Sequence, residues 1–162
     1  MTDFSINIRN ATAADASQLF YWRNDPETRR MSFSMDEISW ESHKDWFEQI
    51  LRHPGREIYI GEILPDRIPF GELRFDILEN RDTEINIVIS PDWRRKGLGR
   101  ILILNGIQTF SSRHPDIHKI IALIKPENTA SKKLFEHCGF SYVDTHPVEG
   151  GGCSETWILD LK

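Results

Sequence analysis

The chain has 162 residues, 39% hydrophobic and 28% charged, with a net charge of −5, which fits one ordinary globular domain over residues 1–162 and excludes a disordered chain. The acidic balance argues against general nucleic-acid binding, which needs a broad cationic face, and no stretch approaches the roughly 18 apolar residues of a membrane span. Two cysteines that no motif joins, Cys138 and Cys153, and a start at Met1 that is neither cationic nor followed by an apolar run, imply free thiols and a cytoplasmic location.

Phe4 to Arg9 alternates and reads as a first strand. Thr12 with Asp15 three residues on opens a helix that Asn24-Asp25-Pro26 ends, because proline disfavours helical geometry in the residue before it. Glu27 to Met35 is irregular or briefly helical; Ser39 then caps a helix from Trp40 to Leu51 with His43, Trp46, Phe47 and Ile50 on one face. Glu57–Leu64 and Phe70–Leu78 are antiparallel strands separated by Pro65 and Pro69.

Glu84 to Ile89 is the fourth strand, followed by a turn at Ser90-Pro91-Asp92-Trp93 and a helix reaching about Ser112. A fifth strand (118–124), a helix (128–137) that Gly139 ends, and two last strands (140–145 and 155–161) complete the chain. This order suits a mixed, mostly antiparallel sheet of about seven strands with helices on both faces, an α/β (α+β) class.

The stretch between the fourth strand and its helix carries the chemistry. Gly97 and Gly99 let the backbone turn sharply, so that amide N–H groups can converge on an anion at a helix start, and Arg94, Arg95 and Lys96 add positive field. Taken alone, the glycine pair fits a plain strand-to-helix connection as well as a phosphate loop. It lacks the third glycine of a dinucleotide fingerprint and the Gly-Lys-Ser/Thr ending of a P-loop.

Arg94 to Gly99 resembles, position for position, the Arg/Gln-x-x-Gly-x-Gly/Ala pyrophosphate loop of the GNAT N-acetyltransferases, and Lys125 to Phe140 resembles their later motif, an Asn and a Ser opening a helix that ends in Gly-Phe. The resemblance implies the GNAT fold, splayed between the fourth and fifth strands, with acetyl-CoA as co-substrate and no metal. It assigns the carrier to the loop Arg94, Arg95, Lys96, Gly97, Leu98, Gly99 and Arg100, to the backbone at Ile87 and Ile89, and to Asn128, Ser131, Lys132 and Phe135. Asn128 would contact the pantetheine arm, although helix starts favour such residues anyway.

Many family members carry a tyrosine where this chain has Phe135, and its hydroxyl protonates the departing thiolate; Tyr142 and Tyr59 are the substitutes to consider, or water, or unaided departure. Glu84 is the first candidate for the general base, with His43 and Glu72 behind it. No nucleophile–His–acid pattern and no clustered metal ligands occur, consistent with direct attack by an amine on a thioester.

Trp22-Arg23-Asn24-Asp25-Pro26 through Met31, with His43, Trp46 and Gly71-Glu72-Leu73-Arg74, resembles the acceptor region of the GNAT branch that acetylates nucleotide-linked amino deoxysugars, as in pseudaminic acid biosynthesis. That resemblance assigns acceptor binding to Trp22, Arg23, Asn24, Arg30, Met31, His43, Trp46 and Arg74, where arginines suit a diphosphate and flat rings suit stacking. A ribosomal-protein-type N-terminal acetyltransferase and a CoA-binding sensor without turnover are the alternatives. A monomer or a homodimer is expected.

Overall fold

The computed structural model describes residues 3–161 and arranges them around one seven-stranded sheet. In chain order come β1 (Ile6–Asn10), a 3-10 turn (Ala13–Asp15), α1 (Ala16–Asn24), α2 (Pro26–Met31), α3 (Trp40–Arg52), β2 (Arg56–Ile63), β3 (Ile68–Ile77) and β4 (Thr83–Ile89). A second 3-10 turn (Pro91–Trp93) leads to α4 (Leu98–Arg113), β5 (Lys119–Ile124), α5 (Thr129–His137), β6 (Ser141–Pro147) and β7 (Cys153–Asp160).

Local chemistry accounts for the helix ends. Thr12 N–H donates to Asp15 Oδ2 at 2.8 Å, and Ser39 Oγ accepts from Ser42 N–H at 3.2 Å. Asp25 caps α2 by accepting from Thr28 N–H at 3.1 Å, and Pro26 takes the first helical position, where its missing N–H costs nothing. The stretch expected as irregular or briefly helical therefore begins as a true short helix.

The strand order is β1-β2-β3-β4-β5-β7-β6, antiparallel throughout except for β4 beside β5, as expected for a mostly antiparallel mixed sheet. β4 and β5 pair only at Thr83↔Ile120 and Glu84↔Ile121, whereas β4 stays registered with β3 up to Ile89. Beyond Glu84 the β5-facing edge of β4 is thus without a strand partner.

Each face of the sheet has its own core. On one, Leu98, Leu102, Ile103, Ile107 and Phe110 of α4 pack on Leu73, Phe75, Ile85 and Ile120. Gly106 allows this close approach, since a Cβ there would lie 2.2 Å from Leu73 Cδ2. On the other, Leu19 and Trp22 of α1 and Phe47 and Ile50 of α3 cover Ile58 and Ile60. Strand alternation places Glu72, Arg74, Asp76, Glu84 and Asn86 on this second face.

Candidate active site

A cavity of about 1450 Å³ fills the opening between the parted strands, lined by Ile85 to Ile89 of β4, Ala122 to Ile124 of β5, the 93–101 stretch, and Asn128, Ser131 and Phe135 at α5. The loop at its mouth turns through two left-handed residues, Arg95 (φ 62°) and Gly97 (φ 79°), the latter immediately before α4. Among the described residues, the amides of Arg94, Arg95, Lys96 and Gly97 donate no backbone hydrogen bond. The first turn of α4 adds its own unpaired N–H groups and the positive end of a 16-residue helix. Arg95, Lys96 and Arg100 are exposed around this concentration of donors. A diphosphate suits the loop, and an extended amide-bearing arm suits the unpaired edge of β4 at Ile87 and Ile89.

Two loop residues that line the cavity, Arg94 and Gly99, also make contacts elsewhere. The Arg94 guanidinium is engaged by α2, donating to Glu27 Oε2 at 2.7 Å and to Asp25 Oδ2 and Thr28 Oγ1 at 2.8 Å each, so it is not a free cation at the loop. Gly99 lacks the positive φ of Gly97; a Cβ there would stand 3.0 Å from Leu134 Cδ2, so its bareness also lets α4 and α5 approach.

At α5, Asn128 Oδ1 accepts from Ser131 N–H at 3.2 Å, which makes Asn128 the cap of the helix while it lines the cavity. Lys132 is not among the cavity-lining residues: its Nζ reaches Glu155 Oε2 at 3.2 Å. Phe135 is buried at the cavity wall and lies edge-on to Phe140, 5.0 Å between centroids. Neither tyrosine proposed as its substitute lines the cavity. Tyr59 is buried with its hydroxyl donating to Glu57 Oε1 at 2.6 Å, and the Tyr142 hydroxyl pairs with Thr145 Oγ1 at 2.7 Å on the exposed β6.

Glu84 sits at the last β4–β5 pair, half-buried, with Asp76 directly opposite on β3. Burial, and then the Asp76 carboxylate, push its pKa above the usual range, against Arg74 and Arg56. Glu72 is deeper: it is 2% exposed, its Oε2 has no hydrogen-bond partner, and burial raises its pKa despite Arg74 and Arg23.

The residues assigned to the acceptor divide. Trp22 is 3% exposed within the α1–α3 core, so its ring offers no face for stacking. His43 is fully buried with both ring nitrogens occupied, Nε2 by the Ala16 carbonyl at 2.8 Å and Nδ1 by Arg23 Nη1 at 3.3 Å; burial lowers its pKa, and no nitrogen is free to act as a base. Asn24 clamps the segment before α3, bonding the Ile38 carbonyl at 2.7 Å and the Ile38 N–H at 2.8 Å. Arg30 is exposed and stands 3.8 Å from Glu27, while Met31 lines the cavity.

Arg23, Trp46 and Arg74 do come together. The Arg23 guanidinium lies 3.9 Å from the Trp46 ring centroid and that of Arg74 5.5 Å from it. Arg74 Nε is held by Asp76 Oδ2 at 3.1 Å, and Arg74 pairs in register with Asn86, an exposed cavity residue. Asn86 was not singled out from the sequence, although with Glu84 it supplies the only polar side chains in Glu84 to Ile89. Glu27 and Thr28, within the run that resembles an acceptor region but not among the residues assigned to binding, also line the cavity. No group of three or more His, Cys, Asp or Glu able to hold a metal occurs among the described residues, and no described helix is long and apolar enough to cross a membrane.

Comparison with known proteins agrees with this fold. The family profile of the acetyltransferase (GNAT) domain matches residues 5–141. The uncharacterized N-acetyltransferase YfmK of Bacillus subtilis is 29% identical over 139 residues, covering 82% of this chain and 83% of that protein. Spermidine N(1)-acetyltransferase of Vibrio cholerae is 32% identical over 81 residues, covering 50% of this chain and 42% of that protein. Among solved structures, spermidine N-acetyltransferase from Vibrio cholerae in complex with CoA and spermine superposes with a TM-score of 0.84 at 18% identity, covering 96% of this chain and 95% of that one. The aminoglycoside acetyltransferase AAC(6')-Ib in complex with coenzyme A gives 0.80 at 16% identity, covering 96% and 95%.

Proposed function

The chain belongs to the family of GNAT acetyltransferases and is an acetyl-CoA-dependent N-acetyltransferase; from that premise we propose that it acetylates the primary amine of a nucleotide-linked amino deoxysugar. The parting of β4 from β5 after Glu84, beside a loop of unbonded amides, is the observation that carries the donor half of this reading. Two guanidinium groups around one indole, Arg23 and Arg74 at Trp46, support the acceptor half, because they suit an anionic, flat-faced ligand. A polyamine, the acceptor in the name of the Vibrio cholerae relative, would meet those same cations.

Acetyl-CoA supplies the activated acyl group. Glu84 accepts the proton that the acceptor ammonium must lose, its raised pKa keeping it basic enough for the task. The neutral amine attacks the thioester carbonyl; the C–N bond forms and the C–S bond breaks, and the second proton that the acylated nitrogen sheds passes through water to the departing thiolate, since Phe135 supplies no tyrosine donor and a thiol of pKa about 8.5 is a fair leaving group. The chain acts as a monomer or a homodimer in the cytoplasm.

Thiol release from acetyl-CoA, measured with UDP-linked amino sugars, N-terminal peptides and polyamines, tests the assignment. Turnover with an amino sugar nucleotide is the expected result. Turnover confined to peptides or polyamines rejects the sugar reading, and CoA binding without turnover for any amine favours a sensor.

A further inference from the structure

Helix α2 crosses the cleft mouth and is held at both ends. At its N-terminal turn, the three hydrogen bonds from Arg94 fix Asp25, Glu27 and Thr28 to the loop that follows β4. At its C-terminal turn, the Arg30 carbonyl accepts from Lys125 Nζ at 3.0 Å, and Lys125 directly follows β5. The helix therefore spans from one parted strand to the other, with Glu27, Thr28 and Met31 against the cavity. Its two attachments are unequal. The Arg94 side chain is 24% exposed and makes two charge-paired contacts, whereas the Lys125 contact is one exposed hydrogen bond.

We propose that α2 is a strap over the donor cleft, hinged at Arg94 and latched by Lys125, and that Arg94 is a positioning residue for this helix and not a phosphate ligand. The inference rests on the reading above that acetyl-CoA occupies the cleft. Opening the single exposed latch costs little, so the acyl arm enters from the β5 side while the hinge holds. Reclosure brings Thr28 and Met31 back against the arm. In this proposal the latch re-forms once the cleft is loaded, so removing it lowers the barrier to entry and exit without favouring either end state.

Binding of CoA followed by the fluorescence of Trp93, a cavity residue, decides the matter by stopped flow. In Lys125→Met, which keeps the aliphatic stem, the strap predicts that association and dissociation both quicken about 3–10-fold while Kd moves less than about twofold. Faster dissociation with unchanged association would make Lys125 an ordinary ligand and overturn the latch, as would unchanged rates. In Arg94→Gln, the strap predicts amide exchange across residues 27–33 about tenfold faster, with CoA Kd within about threefold of wild type. A tenfold loss of CoA affinity with unchanged exchange there would make Arg94 a phosphate ligand and overturn the hinge. A wild-type chain that binds no CoA would remove the acetyl-CoA reading and the strap together.

Discussion

Glu84, the proposed base, owes its raised pKa first to burial and then to the Asp76 carboxylate, against Arg74 and Arg56. Its carboxylate must be free to take a proton, so the rate should rise with pH through a folded-state pKa that burial and Asp76 hold above the ordinary range. Glu84→Gln should lower kcat about 100- to 1000-fold and abolish that acidic limb. Asp76→Asn removes a like charge, so the limb should move to lower pH; a pH–rate profile of kcat/KM for each variant checks both, and an unmoved limb in Asp76→Asn would show that another group titrates. Individual residues were legible where backbone demands fix them, as at Gly97 and Asn128. Arg94 was not, since its partners Asp25, Glu27 and Thr28 lie more than 60 positions away. Trp22 and His43 misled for a related reason: aromatic residues on an amphipathic helix face serve a core and a ligand equally well in sequence, and only the packing of α1 on α3 distinguishes them.

At the scale of elements, α4 joins two roles, presenting its N-terminus to the cavity and anchoring its C-terminus to β2. His114, which caps that end, pairs with Glu57, which also accepts from Tyr59 and, at 3.4 Å, from Arg113. Burial alone would raise the Glu57 pKa, but these hydrogen bonds and cations outweigh it and hold the carboxyl below the ordinary range. The stabilisation is therefore complete above the unfolded-state value and lost as pH falls through the lower folded one. Glu57→Gln should cost about 1–2 kcal/mol near neutral pH, a deficit that urea melts should show shrinking in acid. A deficit independent of pH would mean that packing, not charge, is lost.

The α4–α5 contact makes a separate point about the glycine pair. Gly99→Val should press on Leu134 and cost about 1–3 kcal/mol of stability, measurable by thermal melting; stability equal to wild type would show that α5 yields freely. Helices and strands were largely legible from periodicity, to within a few residues. The short α2 was legible only as an ambiguity, because six residues carry too little pattern to separate a helical turn from a loop.

Across the whole molecule, one topological fact organises function: a single parallel pair interrupts an antiparallel sheet, and it holds for only two residues before the strands diverge. The order of elements and the resemblance of two motifs made this fold legible, and the proposed donor site follows from it because it would be built chiefly from backbone. The proposed acceptor site was less so, since it would draw on side chains from α1, α3, β3 and β4 on one face. The proposed donor site rests on Gly97, whose left-handed backbone a β-branched residue strains and whose added Cβ would meet nothing within 4 Å. Calorimetric titration of wild type and Gly97→Val with acetyl-CoA, alongside far-UV circular dichroism, tests this most directly. The account predicts one saturable site in wild type and at least about 100-fold weaker binding, about 2.7 kcal/mol, in a variant with unchanged helix and strand content; Gly97→Val binding acetyl-CoA as tightly as wild type would contradict it.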